Sequence, residues 1–452
     1  MKRLITSVWA CSWLAAFAAG PLDNAVLHGE TDKARAIDYA PGEEMVFTLT
    51  LQGAEKFAEG EYFVQWSRTG DDGKKDSGKV DAKSLPLTVK TKLDSPGFVR
   101  LEASVVDKKG VVYKKSFTGN PNTPEGKKAL NAFERKDKRV FFDGGAGVQP
   151  EKLQSVPEPA DFDAFWARRR ARLAKVPLKA EKVETSFWKN DVKVYAVSIM
   201  CAGPRPSTGW LTVPTAPGKY PISVSFHGYG HTYPNKGHVI SPIGGDGKTI
   251  WFNFSPHGYE LGREPEYYDE FWRSICSGGR TFGFDDKQND DPENSYFSGY
   301  TYRIMRALEW LKTLPEWDGK NLRVTGGSMG GMQSMWAAGL DKDVSAATPS
   351  IPWNCDIGGR DTMKRLINSW YIHETPALRY YDPVNLAKRV SPKCRVEITR
   401  AGLGDYCCPP SGVSILYNNL KCPKKINWVQ GSTHGYVPPE EHQHFSLTSD
   451  WE

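Results

Sequence analysis

Six residues, Gly326-Gly327-Ser328-Met329-Gly330-Gly331, restrict the fold of this chain more than any other feature. They follow a short strand-like run, Leu322-Arg323-Val324-Thr325, and lead into an apolar helical run, 332–340. G-x-S-x-G between a strand and a helix makes a tight, strained turn. Its glycines let neighbouring backbone pass close while the serine hydroxyl stays exposed. The helix start behind the serine offers free N–H groups and the positive end of a dipole to a developing oxyanion. Ser328 is therefore the expected nucleophile, and the Met329 N–H one expected oxyanion donor.

Strand-like runs stand on both sides of this turn, at 192–199, 222–226, 250–254, 346–351, 396–399 and 426–429. The first alternates apolar and polar residues as an edge or antiparallel strand does. Helical patterns lie between them, clearest where Tyr300, Ile304, Leu308 and Leu311 fall on one face. This texture predicts an α/β domain with a doubly wound, mostly parallel sheet covered by helices.

The 452 residues exceed the roughly 250–300 that one core can hold, and the first third of the chain reads differently. Runs rich in β-branched and aromatic residues (45–51, 62–66, 98–103) are separated by Pro41-Gly42, Asp72-Gly73 and Lys109-Gly110. They predict an all-β, immunoglobulin-like sandwich with a binding or spacer role. The expected division is a leader over 1–19, the sandwich over 20–143, a Gly/Pro-rich linker over 144–158, and the α/β domain over 159–452. That last domain opens on a helix with Asp161 as N-cap and Phe162, Phe165, Trp166, Arg169 and Leu173 at helical spacing. The basic run 168–172 reads as its solvated face.

The leader has a basic start (Lys2, Arg3), an apolar middle and small residues around Ala16-Phe17-Ala18. That is the form of a secretory signal peptide, so the mature chain is expected to be secreted or periplasmic, with no membrane span after cleavage. A net charge of +6 from 59 basic and 53 acidic residues, with the lysines scattered among acids, argues against a nucleic-acid partner. Past the leader stand seven cysteines, an odd number that prevents complete pairing within one chain. No cysteine stands near histidines at zinc-finger spacing, and the acidic run 285–291 lacks the glycine and distal glutamate of a calcium loop. No metal and no cofactor is expected.

A serine hydroxyl needs a base to take its proton, and the base needs a carboxylate to hold its tautomer. On this kind of elbow the chain order is serine, acid, histidine. Downstream of Ser328 stand His373, His434, His442 and His444. His373 precedes the last two strands, and His442 and His444 lie in an acidic tail that reads as surface. His434 follows the last expected strand and is the expected base. Asp405, the first acid after the preceding strand, is the expected partner. The loop Phe226-His227-Gly228-Tyr229 follows a strand directly, so the Tyr229 N–H is the expected second oxyanion donor, with His227 structural. Trp353, Trp370 and Tyr436 fall in loops on this side and are candidate substrate contacts.

Several of these pieces resemble the acetyl xylan esterase and cephalosporin-C deacetylase family of α/β-hydrolases over residues 159 to 436. They are Asp161-Phe162 with Phe165-Trp166, the His227-Gly228-Tyr229 loop, Gly326-Gly327-Ser328, Ser350-Ile351-Pro352, and Gly402-Leu403 with Asp405 and Cys408-Pro409-Pro410-Ser411. The resemblance implies a serine esterase that removes acetyl groups from an acetylated carbohydrate, xylan or xylo-oligosaccharides, through the same three residues and without a cofactor. It also implies a homo-oligomer, since family members form ring-like hexamers. Departures from the family are Met329 where glutamine is usual, Thr433-His434-Gly435 where Gly-His-Glu is usual, and the added N-terminal third. A general carboxylesterase, peptidase or lactone hydrolase would use the same constellation. A glycan-binding protein without catalysis is the alternative of another class.

Overall fold

The computed structural model describes residues 20–54, 57–134, 136–187, 191–230, 240–243, 245–438 and 443–451. The expected leader and His442 lie outside them. Among the described residues no helix is long and apolar enough to cross a membrane, and the seven cysteines stand as free thiols.

Described residues 20–148 form two antiparallel sheets. One orders β1 (Val26–Thr31), β2 (Glu44–Gln52) and β5 (Leu87–Lys92) as 1-2-5. The other orders β3 (Tyr62–Gly70), β4 (Asp76–Asp81), β6 (Gly97–Asp107) and β7 (Phe141–Val148) as 4-3-6-7. Alternate residues of each strand face inward, so Met45, Phe47 and Leu49 of β2 meet Val99, Leu101 and Val105 of β6 in one core. Helix α1 (Pro124–Glu134) lies outside it.

Glycines 144, 145 and 147 do not begin a linker. They belong to β7, which pairs with β6 from Gly97↔Val148 to Ser104↔Phe141 and is buried throughout. The glycines are there because the strand is squeezed between two halves of the molecule. A Cβ on Gly145 would stand 2.9 Å from the Leu403 carbonyl oxygen on the far side.

Beyond β7, helix α2 (Phe162–Ala174) buries Phe162, Phe165, Trp166 and Leu173 on the face the spacing predicts. Two details differ from expectation. Asp161 makes no side-chain cap and instead receives the Tyr380 hydroxyl. Arg169 is fully buried rather than solvated, because α2 packs on a second helix whose Ser298 carbonyl and hydroxyl each accept from it at 2.8 Å.

The sheet of this half has ten strands: β8 (Ala180–Glu184), β9 (Val192–Ile199), β10 (Ser207–Pro214), β11 (Tyr220–Phe226), β12 (Ile250–Ser255), β13 (Trp317–Gly327), β14 (Ala346–Ser350), β15 (Arg395–Gly402), β16 (Lys424–Val429) and β17 (His444–Ser449). Their order is 17-16-15-14-13-11-12-10-9-8. The six from β12 to β16 run parallel, and antiparallel strands extend both ends. Because β9 pairs on both sides it is no edge strand. His444 opens β17 opposite Val429 rather than lying in a surface tail. The helices between strands are α3 (Pro265–Ile275), α4 (Tyr296–Leu311), α5 (Met329–Leu340), α6 (Gly358–Asp361), α7 (Pro383–Ala387) and α8 (Pro410–Asn419). Every residue of α5 is buried, which sets it as the central helix of the core.

The two halves share a polar seam. The Gln430 amide pairs with both the N–H and the carbonyl of Gly145 at 2.9 Å. Arg100 of β6 grips Asp143 of β7 through two bonds, 2.9 and 2.7 Å, and lays its guanidinium 4.8 Å from the Tyr406 ring centre. Asp71 accepts from the Leu366 N–H at 2.9 Å.

Candidate active site

Ser328 sits between β13 and α5 with φ of 57° and ψ of −120°. A left-handed φ costs a non-glycine residue energy and persists only when its surroundings over-determine it. Here they do: the Ser328 N–H donates to the Ser350 carbonyl at 2.9 Å, and its carbonyl accepts from Met332 and Trp353 at 3.0 Å each. Close approach completes the turn, since a Cβ on Gly326 would stand 2.6 Å from the Phe226 carbonyl oxygen.

Asp405 follows β15 and is fully buried. Its Oδ1 accepts from the Cys407 and Cys408 N–H groups at 3.1 Å each, which aims Oδ2 at His434 Nδ1, 3.0 Å away. This bond engages Nδ1, so an imidazole held in this way can exchange a proton at Nε2. His434 lies in the loop after β16, and its carbonyl accepts from Arg400 at 3.2 Å.

Ser328 and His434 line one cavity of about 350 Å³, together with Gly228, Tyr229, Trp353, Trp370 and Cys407. That volume suits a small ligand. Tyr229 packs 5.1 Å from Trp370 and 5.7 Å from Trp353, and its hydroxyl is tied to Thr281 and Phe282, whose burial around it pushes the phenol far up. Trp353 donates its Nε1–H to the Trp370 carbonyl at 2.7 Å and is buried, whereas Trp370 is 51% exposed and offers a ring face to solvent. Tyr436 is not among the residues lining the cavity. Its ring packs 5.0 Å from Phe141 of the sandwich. His227 holds Asn253 at 2.7 Å, the structural role expected of it.

Three further residues bear on the site. Gln333, buried in α5, donates to the His227 and Met329 carbonyls at 3.1 and 3.2 Å and so ties the loop after β11 to the first turn behind Ser328. Its place four residues after Met329 is the only sign of this in the sequence. Phe284 closes the aromatic wall 5.7 Å from Trp370. Cys407 shares with Asp405 and His434 a set of three ligand atoms within 4.8 Å of one another. Burial pushes the Cys407 thiol up, which favours its neutral form beside Asp405. The acidic run 285–291 is taken up with turns: Asp285 accepts from Ser277 at 2.5 Å and Asp291 from the Glu293 N–H at 3.0 Å.

Comparison with known proteins gives the family and the fold. The chain is 31% identical over 312 residues to the acetyl esterase Axe7A of Xylanibacter ruminicola, an overlap of 64% of this chain and 68% of that protein. Its fold is that of the acetyl xylan esterase 1 structure from Thermoanaerobacterium sp. JW/SL YS485, with a TM-score of 0.52 at 23% identity over 64% of this chain and 94% of that one. This is the α/β-hydrolase fold. The family model for acetyl xylan esterase (AXE1) matches residues 151–450. The chain therefore belongs to the acetyl xylan esterase family and is a carboxylic ester hydrolase.

Proposed function

We propose that the chain is an exported serine esterase that removes acetyl groups from xylan or xylo-oligosaccharides. The observation that carries this reading is the 3.0 Å bond between Asp405 and His434 on the wall of the cavity that Ser328 also lines. Ser328 Oγ attacks the acetyl carbonyl carbon as His434 Nε2 takes its proton, and Asp405 steadies the imidazolium. The Tyr229 and Met329 N–H groups receive the oxyanion, each such donor being worth about 3–4 kcal/mol in the transition state. The sugar hydroxyl leaves with the proton from His434, and water then releases acetate from the acetyl-serine. The exposed face of Trp370, with Trp353 behind it, supports a sugar ring at the mouth.

The signal-peptide form of residues 1–19 supports export. The strand orders 1-2-5 and 4-3-6-7 support an immunoglobulin-like domain through Val148, since they differ from the constant-type arrangement only in the sheet that takes the fourth strand. The catalytic domain then begins near residue 159.

Acetate release from acetylated xylan and from p-nitrophenyl acetate, with wild type beside Ser328→Ala, tests the proposal. Release from both substrates that is abolished in the variant is the expected result. Release from the small ester alone would keep the serine mechanism and sink xylan as the substrate. Release that survives Ser328→Ala would sink the mechanism.

A further inference from the structure

A fully buried guanidinium needs donors satisfied and charge balanced, because desolvating an unpaired ion is costly. Helix α4 carries two such arginines, and they differ. Arg306 leaves its Nε unpartnered but donates to the Leu173 and Val176 carbonyls at 2.7 and 3.0 Å and has its charge paired with Glu309 at 3.0 Å. Arg303, 1% exposed, donates its Nε–H to the Pro256 carbonyl at 2.7 Å, while its Nη2 has no hydrogen-bond partner. Among the described residues no carboxylate pairs with it. Its charged neighbour is another cation: burial and then the Arg205 guanidinium push Arg303 down to about 10.

Arg303 lines a cavity of about 360 Å³ that is separate from the one holding Ser328. Arg172 and Arg205 line the same cavity, and the Arg205 Nε is unpartnered as well. So is the hydroxyl of Tyr302, a residue only 2% exposed. Gly299, one helical turn before Arg303, keeps the guanidinium uncovered: a Cβ there would stand 3.0 and 3.1 Å from its two terminal nitrogens. The first turn of the 16-residue α4 borders the cavity and adds the positive end of its dipole. Glu293 is the one carboxylate among the described lining residues, and it faces Arg168 and Arg169 at 3.8 and 3.6 Å.

We infer that this cavity is a binding site for a compact oxyanion on a small ligand, a carboxylate or a phosphate, gripped by Arg303, Arg205 and the Tyr302 hydroxyl with Arg172 at the rim. An oxyanion supplies what these groups lack, several acceptor lone pairs and a negative charge, and planar guanidinium forks match its geometry. A uronic acid sugar and a phosphorylated small molecule are the two sources of such a group.

Calorimetric titration of the full chain at constant ionic strength tests this, with sodium D-glucuronate and sodium phosphate as probes and sodium chloride and D-xylose as controls. Saturable binding of at least one probe is expected, and which one binds tells the sources apart. Arg205→Gln and Tyr302→Phe should each weaken it by about tenfold or more. Both variants should keep the hydrolysis of p-nitrophenyl acetate, and Tyr302→Phe should keep its melting temperature, because the hydroxyl it removes has no partner. Arg303→Met should abolish binding. If that variant does not fold, the other two decide. No saturable binding of either probe beyond the chloride control, or binding unchanged in both Arg205→Gln and Tyr302→Phe, overturns the inference.

Discussion

Ser328 hangs on backbone from its own sheet and helix, through the Ser350 carbonyl on β14 and the Met332 and Trp353 N–H groups. Asp405 sits on a loop whose outer face leans on the other half of the molecule. The Asp143 carbonyl of β7 fills the place where a Cβ on Gly404 would be, Arg100 lies on the ring of Tyr406, and Gln430 at the start of the histidine loop is paired with Gly145. The Ser328 side is thus complete within the hydrolase fold, whereas the Asp405 and His434 side is completed by the sandwich. A domain that reads in sequence as a spacer is, on this geometry, part of the scaffold that aims the carboxylate.

Asp405→Asn sets the ceiling for the acid side. It keeps the shape of the loop but holds the imidazole in the wrong tautomer, and kcat on p-nitrophenyl acetate should fall by about 10⁴-fold. A much smaller loss would move the acid elsewhere. Arg100→Met comes next and touches no reacting group. It strips buried Asp143 of both its bonds and should cost about 3–5 kcal/mol in urea unfolding. If the cost were within ~0.5 kcal/mol, as for a surface change, the seam would carry no load. Gly404→Ala tests the seam at its closest approach. The new Cβ meets the Asp143 carbonyl, the loop must shift, and kcat should drop by about 10²-fold with KM little changed. Gly435→Ala is the matched control beside His434, where a Cβ meets nothing within 4 Å, and it should leave kcat intact.

The same division explains what the sequence makes legible. The elbow is readable because strand, turn and helix are consecutive, and the inward face of α2 is readable because a 3.6-residue period needs no knowledge of its partner. Chain order and the expected strands single out Asp405 and His434, and the structure brings their side chains to 3.0 Å. What escapes depends on surfaces that meet from far apart. Glycines 144, 145 and 147 look like a linker until β7 is seen pressed between two layers. Arg169 looks like one of a solvated run until Ser298 is found opposite it. Tyr436 looks like a sugar platform until its ring is found packed against Phe141 of the sandwich. Arg303 gives no warning in a helix otherwise read by its apolar residues.

The Ser328 side also holds buried titratable carboxyls, as the seam does, where burial raises Asp143 to about 6 although Arg100 pairs with it. Asp382, before α7, is buried 25 residues or more from its partners in sequence, except for the Val384 N–H at 3.0 Å. Burial and then the nearby charge of Asp356 push it up to about 7, against the pull of the Asp356, Ile357 and Val384 N–H groups. Burial raises Asp356 to about 6 although Arg365 pairs with it. Both carboxyls therefore hold protons more tightly folded than unfolded. Their stabilising contribution is complete below about pH 4 and is lost as pH rises through 6 and 7. Unfolding free energy from urea titrations should fall by about 1–3 kcal/mol per pH unit as pH rises from 5 to 7, and Asp356→Asn should flatten the slope. Stability that is level or rises from pH 5 to pH 7 would mean that Asp356 and Asp382 ionise within the fold.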